Sequence, residues 1–246
     1  MLQTILQTDL AAWCISAAVL LFGCWLQTAL GFGMAVAAAP VIVLVKPEWV
    51  PVVLTVTALQ LSVINTWNQR HAVQLKPMAW AFVTRIPGTV TGAWLLVQLN
   101  VQWLQIFVAV SVILAVVLSL WSVHFEATPK RQALAGYFSG LMGTTTSIGG
   151  PPMALVMQHG EPSTIRANLS LFFTYSCILS LLSYWFADLL TVELMVHSLS
   201  FVPVALIGFY LGIQARPFVD DGRFRPLLLM LCGSAGTFAL IGAFYK

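Results

Sequence analysis

The chain has 246 residues, of which 59% are hydrophobic and only 8% charged, and its formal net charge is +3. That is too little polar surface to clothe a water-soluble core, and so small and scattered a charge excludes a nucleic-acid-binding role. The four cysteines, Cys14, Cys24, Cys177 and Cys232, sit in apolar stretches without a C-x-x-C spacing, so no metal, disulfide framework or cofactor is expected.

Charged residues are absent between Asp9 and Lys46, Glu48 and Arg70, Arg85 and Glu126, Arg131 and Glu161, Arg166 and Asp188, Glu193 and Arg216, and Arg225 and Lys246. A bilayer core about 30 Å thick takes about 20 apolar residues of helix, and almost every window reaches that length. Their continuous apolarity, without the alternation of barrel strands, predicts an all-α polytopic membrane protein. The first run is too long for a signal peptide and is preceded by Asp9 and no Lys or Arg, so it reads as a retained helix.

In chain order, helices are predicted near Leu10–Leu30, Gly33–Val45, Trp49–Gln69, Pro77–Gln98 and Val101–Val123. A polar stretch, His124–Arg131, separates these from helices near Gln132–Ser147, Gly149–Gln158, Ile165–Ala187, Val192–Ala215 and Phe224–Tyr245. The chain thus divides into a first repeat (1–123), a connecting loop (124–131) and a second repeat (132–246), each with about five segments. A constant offset of 116 residues relates the halves: Pro87, Gly92, Trp94 and Leu95 match Pro203, Gly208, Tyr210 and Leu211, while Thr28 and Gly33 match Thr144 and Gly149.

If each half crosses the bilayer an odd number of times, the second is inverted relative to the first. Arg70, Lys76, Lys130, Arg131, Arg166, Arg216, Arg223 and Arg225 then share one face, with Lys46 and Lys246 opposite. Short cytoplasmic loops collect Lys and Arg, so inversion is expected, with the eight-residue set in the cytoplasm. Halves in parallel would divide the same residues five against five.

Two breaks carry the functional signal: Gly31-Phe32-Gly33, and Ser147-Ile148-Gly149-Gly150-Pro151-Pro152. Each precedes a segment of about 13 or 10 residues, too short to span comfortably. Matched short segments interrupted by Gly or Pro mark a transporter's binding site. The amides freed at a helix start favour an anion, and Gln27, Thr28, Thr144, Thr145, Thr146 and Ser147 add side-chain donors. The bland alternative is that these small residues allow tight packing and bond back to their own helices. Arg85 lies about 12 Å deep if its helix starts at Pro77, and no intramembrane carboxylate is available to pair with it. A substrate anion or a snorkelling path would account for it. Asn65 and Asn168 are further polar candidates for a pore or for interhelical bonding.

The run Gly140-Leu141-Met142-Gly143-Thr144-Thr145-Thr146-Ser147-Ile148-Gly149-Gly150-Pro151-Pro152 resembles the second-half motif of the TauE/SafE family of sulfite exporter-like permeases. Gly31-Phe32-Gly33 with Pro40, and Arg85-Ile86-Pro87-Gly88 to Gly92-Ala93-Trp94-Leu95, are similar to its first repeat. Arg166-Ala167-Asn168 with Leu171-Phe172-Phe173 resembles the segment after the second break. One departure is Met34 after Gly33, where a further glycine is common in the family. The resemblance implies a multi-pass permease of the bacterial inner membrane that moves sulfite, sulfoacetate or a related organosulfur anion.

The expectation is therefore a small-anion exporter, not an enzyme, with Gln27, Thr28, Gly31, Gly33, Arg85, Thr144, Thr145, Thr146, Ser147, Gly149, Gly150 and Asn168 at the substrate site. Its partners are a small anion and the lipid bilayer, with a homo-oligomer left open. The rival readings are a membrane-embedded enzyme, for which Ser147 would need a histidine base, and a passive channel.

Overall fold

The computed structural model describes residues 2–120, 128–157 and 160–220. The predicted segment Phe224–Tyr245, the residues Arg223, Arg225 and Lys246, and half of the connecting loop (124–127) lie outside them. Within them the chain forms ten α-helices and no strand. These are α1 (Leu2–Leu30), α2 (Met34–Val45), α3 (Val52–Asn68), α4 (Ala79–Gln98), α5 (Val101–Leu120), α6 (Pro129–Thr146), α7 (Gly150–Met157), α8 (Pro162–Phe186), α9 (Val192–Ser200) and α10 (Val202–Asp220).

Local chemistry sets several ends differently from the predicted ones. Pro129 and Pro162 occupy first-turn positions of α6 and α8, where a missing N–H is harmless, so both helices start three residues early. The Thr128 side chain caps α6 by accepting from the Arg131 amide at 3.4 Å. The single helix expected over Val192–Ala215 is two, parted at Phe201, with Pro203 in the first turn of α10. Among the described residues, three stretches, Leu10–Leu30, Pro162–Phe186 and Val192–Val219, are long and apolar enough to cross a bilayer by length and composition.

Polarity is distributed inside out. Thr28, Thr55, Asn65, Arg85, Ser139, Thr144 and Ser180 are buried, whereas Trp67, Trp94, Trp185, Phe186 and Val192 are exposed. An outer surface of this kind is stable against lipid and would aggregate in water.

Hydrogen-bonded pairs fix the helix directions. Thr66 with Thr174 and Thr55 with Tyr184 set α3 and α8 antiparallel. Gln27 with Ser62 and Thr28 with Asn65 at one end, and Trp13 and Trp49 both against Phe201 at the other, make α1 and α3 parallel, and α1 also runs with α9–α10 through Trp13 to Ser200 and Arg216 to the Thr28 carbonyl. α4 lies parallel to α6, joined by Thr84 to the Ala133 carbonyl and Thr145 to the Gly92 carbonyl. It also runs with α8 through Tyr175 to the Phe82 carbonyl and Arg85 to Ser180. Because α1 and α3 share a direction, α2 and the Pro47–Trp49 turn must carry the chain back between them.

Glycine permits close helix contact in two pairs, α4 with α6 and α1 with α10. A Cβ on Gly92 would lie 2.7 Å from the Leu141 carbonyl oxygen, and one on Gly140 would lie 2.8 Å from that of Arg85. On the other side, Gly208 and Gly212 face Leu21, Cys24, Trp25 and Thr28 of α1. In lipid such close approach replaces the hydrophobic effect as the force holding helices together. Gly140→Val should therefore destabilise the protein by about 1–3 kcal/mol, read as a lowered unfolding midpoint in detergent. Lipid-facing Val90→Leu should leave the midpoint within about 0.5 kcal/mol.

Candidate functional site

Both predicted breaks turn the chain back beside the helix they end. At the first, Gly31 and Gly33 have φ of 93° and 116°, a left-handed backbone that glycine adopts without strain. Gly33 lies over Leu26, and Met34 is seated against Gly23. At the second, Ser147 takes the left-handed conformation at φ 64°, and the Ser139 hydroxyl donates to the Gly149 carbonyl at 2.5 Å. Gly149 is needed for space: a Cβ there would lie 2.8 Å from the Ser139 carbonyl oxygen and 3.1 Å from Arg85 Nη1. α2 and α7, with 12 and 8 residues, are about 18 and 12 Å long, well short of a bilayer core.

Where the breaks meet there is a cavity of about 40 Å³, room for about three water molecules at roughly 10–15 Å³ each. Gln27, Gly33 and the start of α2 (Met34, Ala35, Val36) form one wall. Gly143 and the stretch Ser147, Ile148, Gly149 and Gly150 form a second, and Thr55 and Ala58 of α3, Arg85 of α4, and Phe173, Ser176, Cys177 and Ser180 of α8 complete it. The first amides of α2 have no intrahelical acceptor by the geometry of a helix start, and Gly33 provides no side-chain cap.

Arg85 is 2% exposed. Its Nη1 donates to the carbonyl and hydroxyl of Ser139, and its Nη2 to Ser180 Oγ at 3.2 Å and the Ser176 carbonyl at 3.5 Å. Every acceptor is neutral. Among the described residues, Arg85 Nε and Ser176 Oγ have no hydrogen-bond partner, although buried polar atoms are normally satisfied.

Of the expected site residues, Gln27, Gly33, Arg85, Ser147, Gly149 and Gly150 line this cavity, and Thr28, Gly31, Thr144, Thr145, Thr146 and Asn168 do not. Thr144 Oγ1 is paired with Ser180 at 2.9 Å. Thr145 and Thr146 bond back to the Leu141 and Met142 carbonyls, the local packing role open to hydroxyls in helices. Thr28 is held by Asn65. Gly31 admits the close approach of Arg166, and Asn168 Oδ1 accepts from the Gln74 amide at 2.7 Å, fixing the segment before α4. Ser147 Oγ donates to the Pro51 carbonyl and accepts from Thr55, and no histidine among the described residues bonds it. Sequence reasoning missed Thr55, Ser176, Cys177 and Ser180. The signal available was their spacing, since Ser176 and Ser180 are four apart on one helix face.

An apolar exterior around a polar interior, with two broken helices meeting at a buried site, defines a multi-pass helical membrane protein. The sequence matches the model of the sulfite exporter TauE/SafE family over residues 15–238, and the chain belongs to that family. It is accordingly a membrane permease. Neither a curated protein nor a solved structure matches it.

The wall geometry ranks substitutions. Gly33→Val forces a β-branched residue into a left-handed backbone, and Gly149→Val drives a side chain into Ser139 and Arg85, so both should abolish transport with the protein still inserted. Thr145→Val removes one neutral hydroxyl that bonds the Leu141 and Gly92 carbonyls and should cost about 1 kcal/mol. Initial rates in proteoliposomes, with membrane insertion checked in parallel, test this order.

Proposed function

We propose that this chain exports a small sulfite-type oxyanion across the cell inner membrane through the cavity between the two breaks. The observation that carries the reading is the buried Arg85 guanidinium, surrounded by neutral acceptors and retaining an unpaired Nε. An ionisable group at depth marks a substrate path, and an anion beside it would also meet Ser176 Oγ and the free amides at the start of α2. Paired half-helix starts at such a site are the membrane form of the helix-terminus anion site.

We further infer that the halves are inverted repeats. Three features support this. The counterpart helices α3 and α8 pack against each other antiparallel. α4 of the first half pairs with α6 of the second, while α10 of the second pairs with α1 of the first, an exchange that a two-fold axis produces. Gly92 faces Leu141 and Thr144 just as Gly212 faces Trp25 and Thr28. The faced residues are 116 apart but the glycines 120 apart, so the fourth helices correspond with a shift of about one turn. With these directions Arg70, Lys76, Lys130, Arg131, Arg166 and Arg216 fall at one end of the bundle, with Lys46 at the other. By the positive-inside rule the first end is cytoplasmic. Single cysteines in place of Lys76 and Arg216, in a background without native cysteines, should label from the same face. Labelling from opposite faces would refute the inversion.

Export follows from charge. With the cytoplasm negative, each unit of anionic charge leaving is driven by about 2.3 kcal/mol per 100 mV, enough for a roughly 50-fold gradient. Labelled sulfite, sulfoacetate and a neutral solute, measured in proteoliposomes at imposed voltages, test the reading. Sulfite flux should follow voltage, and Arg85→Gln should slow it far more than Arg85→Lys. Flux of the neutral solute alone would defeat it, and flux that ignores voltage but follows a pH gradient would replace the voltage-driven mechanism.

A further inference from the structure

The last turns of α1 and α6 are held by similar bonds in different chemistry. Thr28 Oγ1 accepts from Asn65 Nδ2 at 3.0 Å, and the Thr28 carbonyl accepts from Arg216 Nε at 3.3 Å. Arg216 continues through Nη2 to Asn65 Oδ1 at 3.3 Å and through Nη1 to Asn68 Oδ1 at 3.4 Å. Thr144, 116 residues after Thr28, is paired through Oγ1 with Ser180 at 2.9 Å, and its carbonyl accepts from the Tyr184 hydroxyl at 2.5 Å. Beyond it, Ser147 Oγ donates to the Pro51 carbonyl at 3.0 Å, so the 2.9 Å bond between Thr55 and Ser147 is donated by Thr55.

Both carbonyls belong to the last four of a helix, which lack an intrahelical donor. Each cluster therefore fastens the end of a broken helix to its neighbours through side chains alone. The two clusters also grip α3 about ten residues apart, roughly 15 Å along its axis. Gln27, Thr55 and Ala58, which line the cavity, fall between or beside them.

We propose that these clusters are the two gates of the cavity. Arg216, Asn65 and Asn68 acting on Thr28 close it toward the end of the bundle that carries the basic loops. Tyr184, Thr55 and Ser147 acting on the end of α6 close it toward the other end. The assignment rests on the cavity being the transport site, and with both gates shut the site is occluded. Opening either breaks only a few hydrogen bonds, so a state with one gate open is accessible as a minor population. The chemistry of the gates differs in a way that suits an anion. An arriving oxyanion offers Arg216 charge-assisted bonds stronger than those it makes to the Thr28 carbonyl and the Asn65 and Asn68 amides. The gate of phenol and alcohol hydroxyls offers an anion no cation to recruit.

Cys177 lines the cavity and reports which gate is open. The test uses the full chain carrying Cys14→Ser, Cys24→Ala and Cys232→Ala in sealed vesicles of known orientation, with a membrane-impermeant anionic methanethiosulfonate reagent added from either face. With the gates otherwise intact, Cys177 should label slowly from both faces. Asn65→Ala and Arg216→Gln should each speed labelling at least fivefold from the basic-loop face alone, and Tyr184→Phe and Ser147→Ala from the opposite face alone. Equal acceleration from both faces, or none in all four variants, overturns the gates. Sulfite should slow Cys177 labelling in the opened variants. If side-specific acceleration persists without protection by sulfite, the gates stand and the anion site is refuted.

Discussion

A guanidinium buried inside a membrane protein, with neutral oxygens around it and no carboxylate, is the constraint from which the rest of this site follows. Withdrawing an ion from water costs several kcal/mol even after relaxation. Arg85 recovers part of that through Ser139, Ser176 and Ser180, yet its charge is solvated rather than neutralised. The neighbours are selected by its bulk. Gly143 must lack a side chain because a Cβ there would lie 2.8 Å from Nη1, and Gly149 meets the same atom. Since Ser139 also binds the Gly149 carbonyl, one serine ties the cation to the second break. The turn that opens the backbone and the charge that gives the opening a purpose are parts of one packed unit.

Helix packing places that unit. Without a hydrophobic drive between helices in lipid, cohesion comes from close approach and interhelical hydrogen bonds. The pair α4–α6 and the pair α1–α10 are both joined at glycines set against the partner's backbone. Hydroxyl residues then do two jobs. Thr146 and Ser170 satisfy carbonyls of their own helices, Thr28, Thr55 and Thr144 link one helix to another, and Thr145 does both.

This division explains what could be read in the sequence. The breaks were legible because glycine and proline act on the backbone locally: Gly31, Gly33 and the run from Ser147 to Pro152 appear as broken helices in the structure. Arg85 was legible because a charge deep in an apolar window has no local explanation. The threonines were not, since a hydroxyl at a given position serves equally to donate outward or to bond back, and only the neighbouring helix decides. The serines of α8 were hidden for the same reason. Thr174, Ser176 and Ser180 look alike in sequence, but the rotation of α8 turns Ser176 and Ser180 toward Arg85 and Thr174 toward Thr66. Under the proposed repeat, the 116-residue offset relates the helix ends at Thr28 and Thr144, while the facing glycines of the fourth helices, Gly92 and Gly212, are 120 apart, a slip of about one turn that would keep the same helix face in contact.

The proposed two-fold relation is most informative where it fails. The position matching Arg85 is Phe201 by the shorter offset and Ala205 by the longer, and both are buried apolar residues. Among the described residues the cavity is lined by one guanidinium, that of Arg85, and a singly charged oxyanion in the proposed site would bring it near neutrality. The helix ends break the symmetry the same way: the carbonyls at the end of α1 face Arg216 and Arg166, while at the end of α6 Tyr184 takes the Thr144 carbonyl. A transporter with two identical halves would have no preferred direction of approach for its substrate. In the proposed export, the guanidinium groups on the side where the basic loops gather would draw an anion in at one end, Arg85 would hold it, and it would leave past neutral hydroxyls that bind it less strongly.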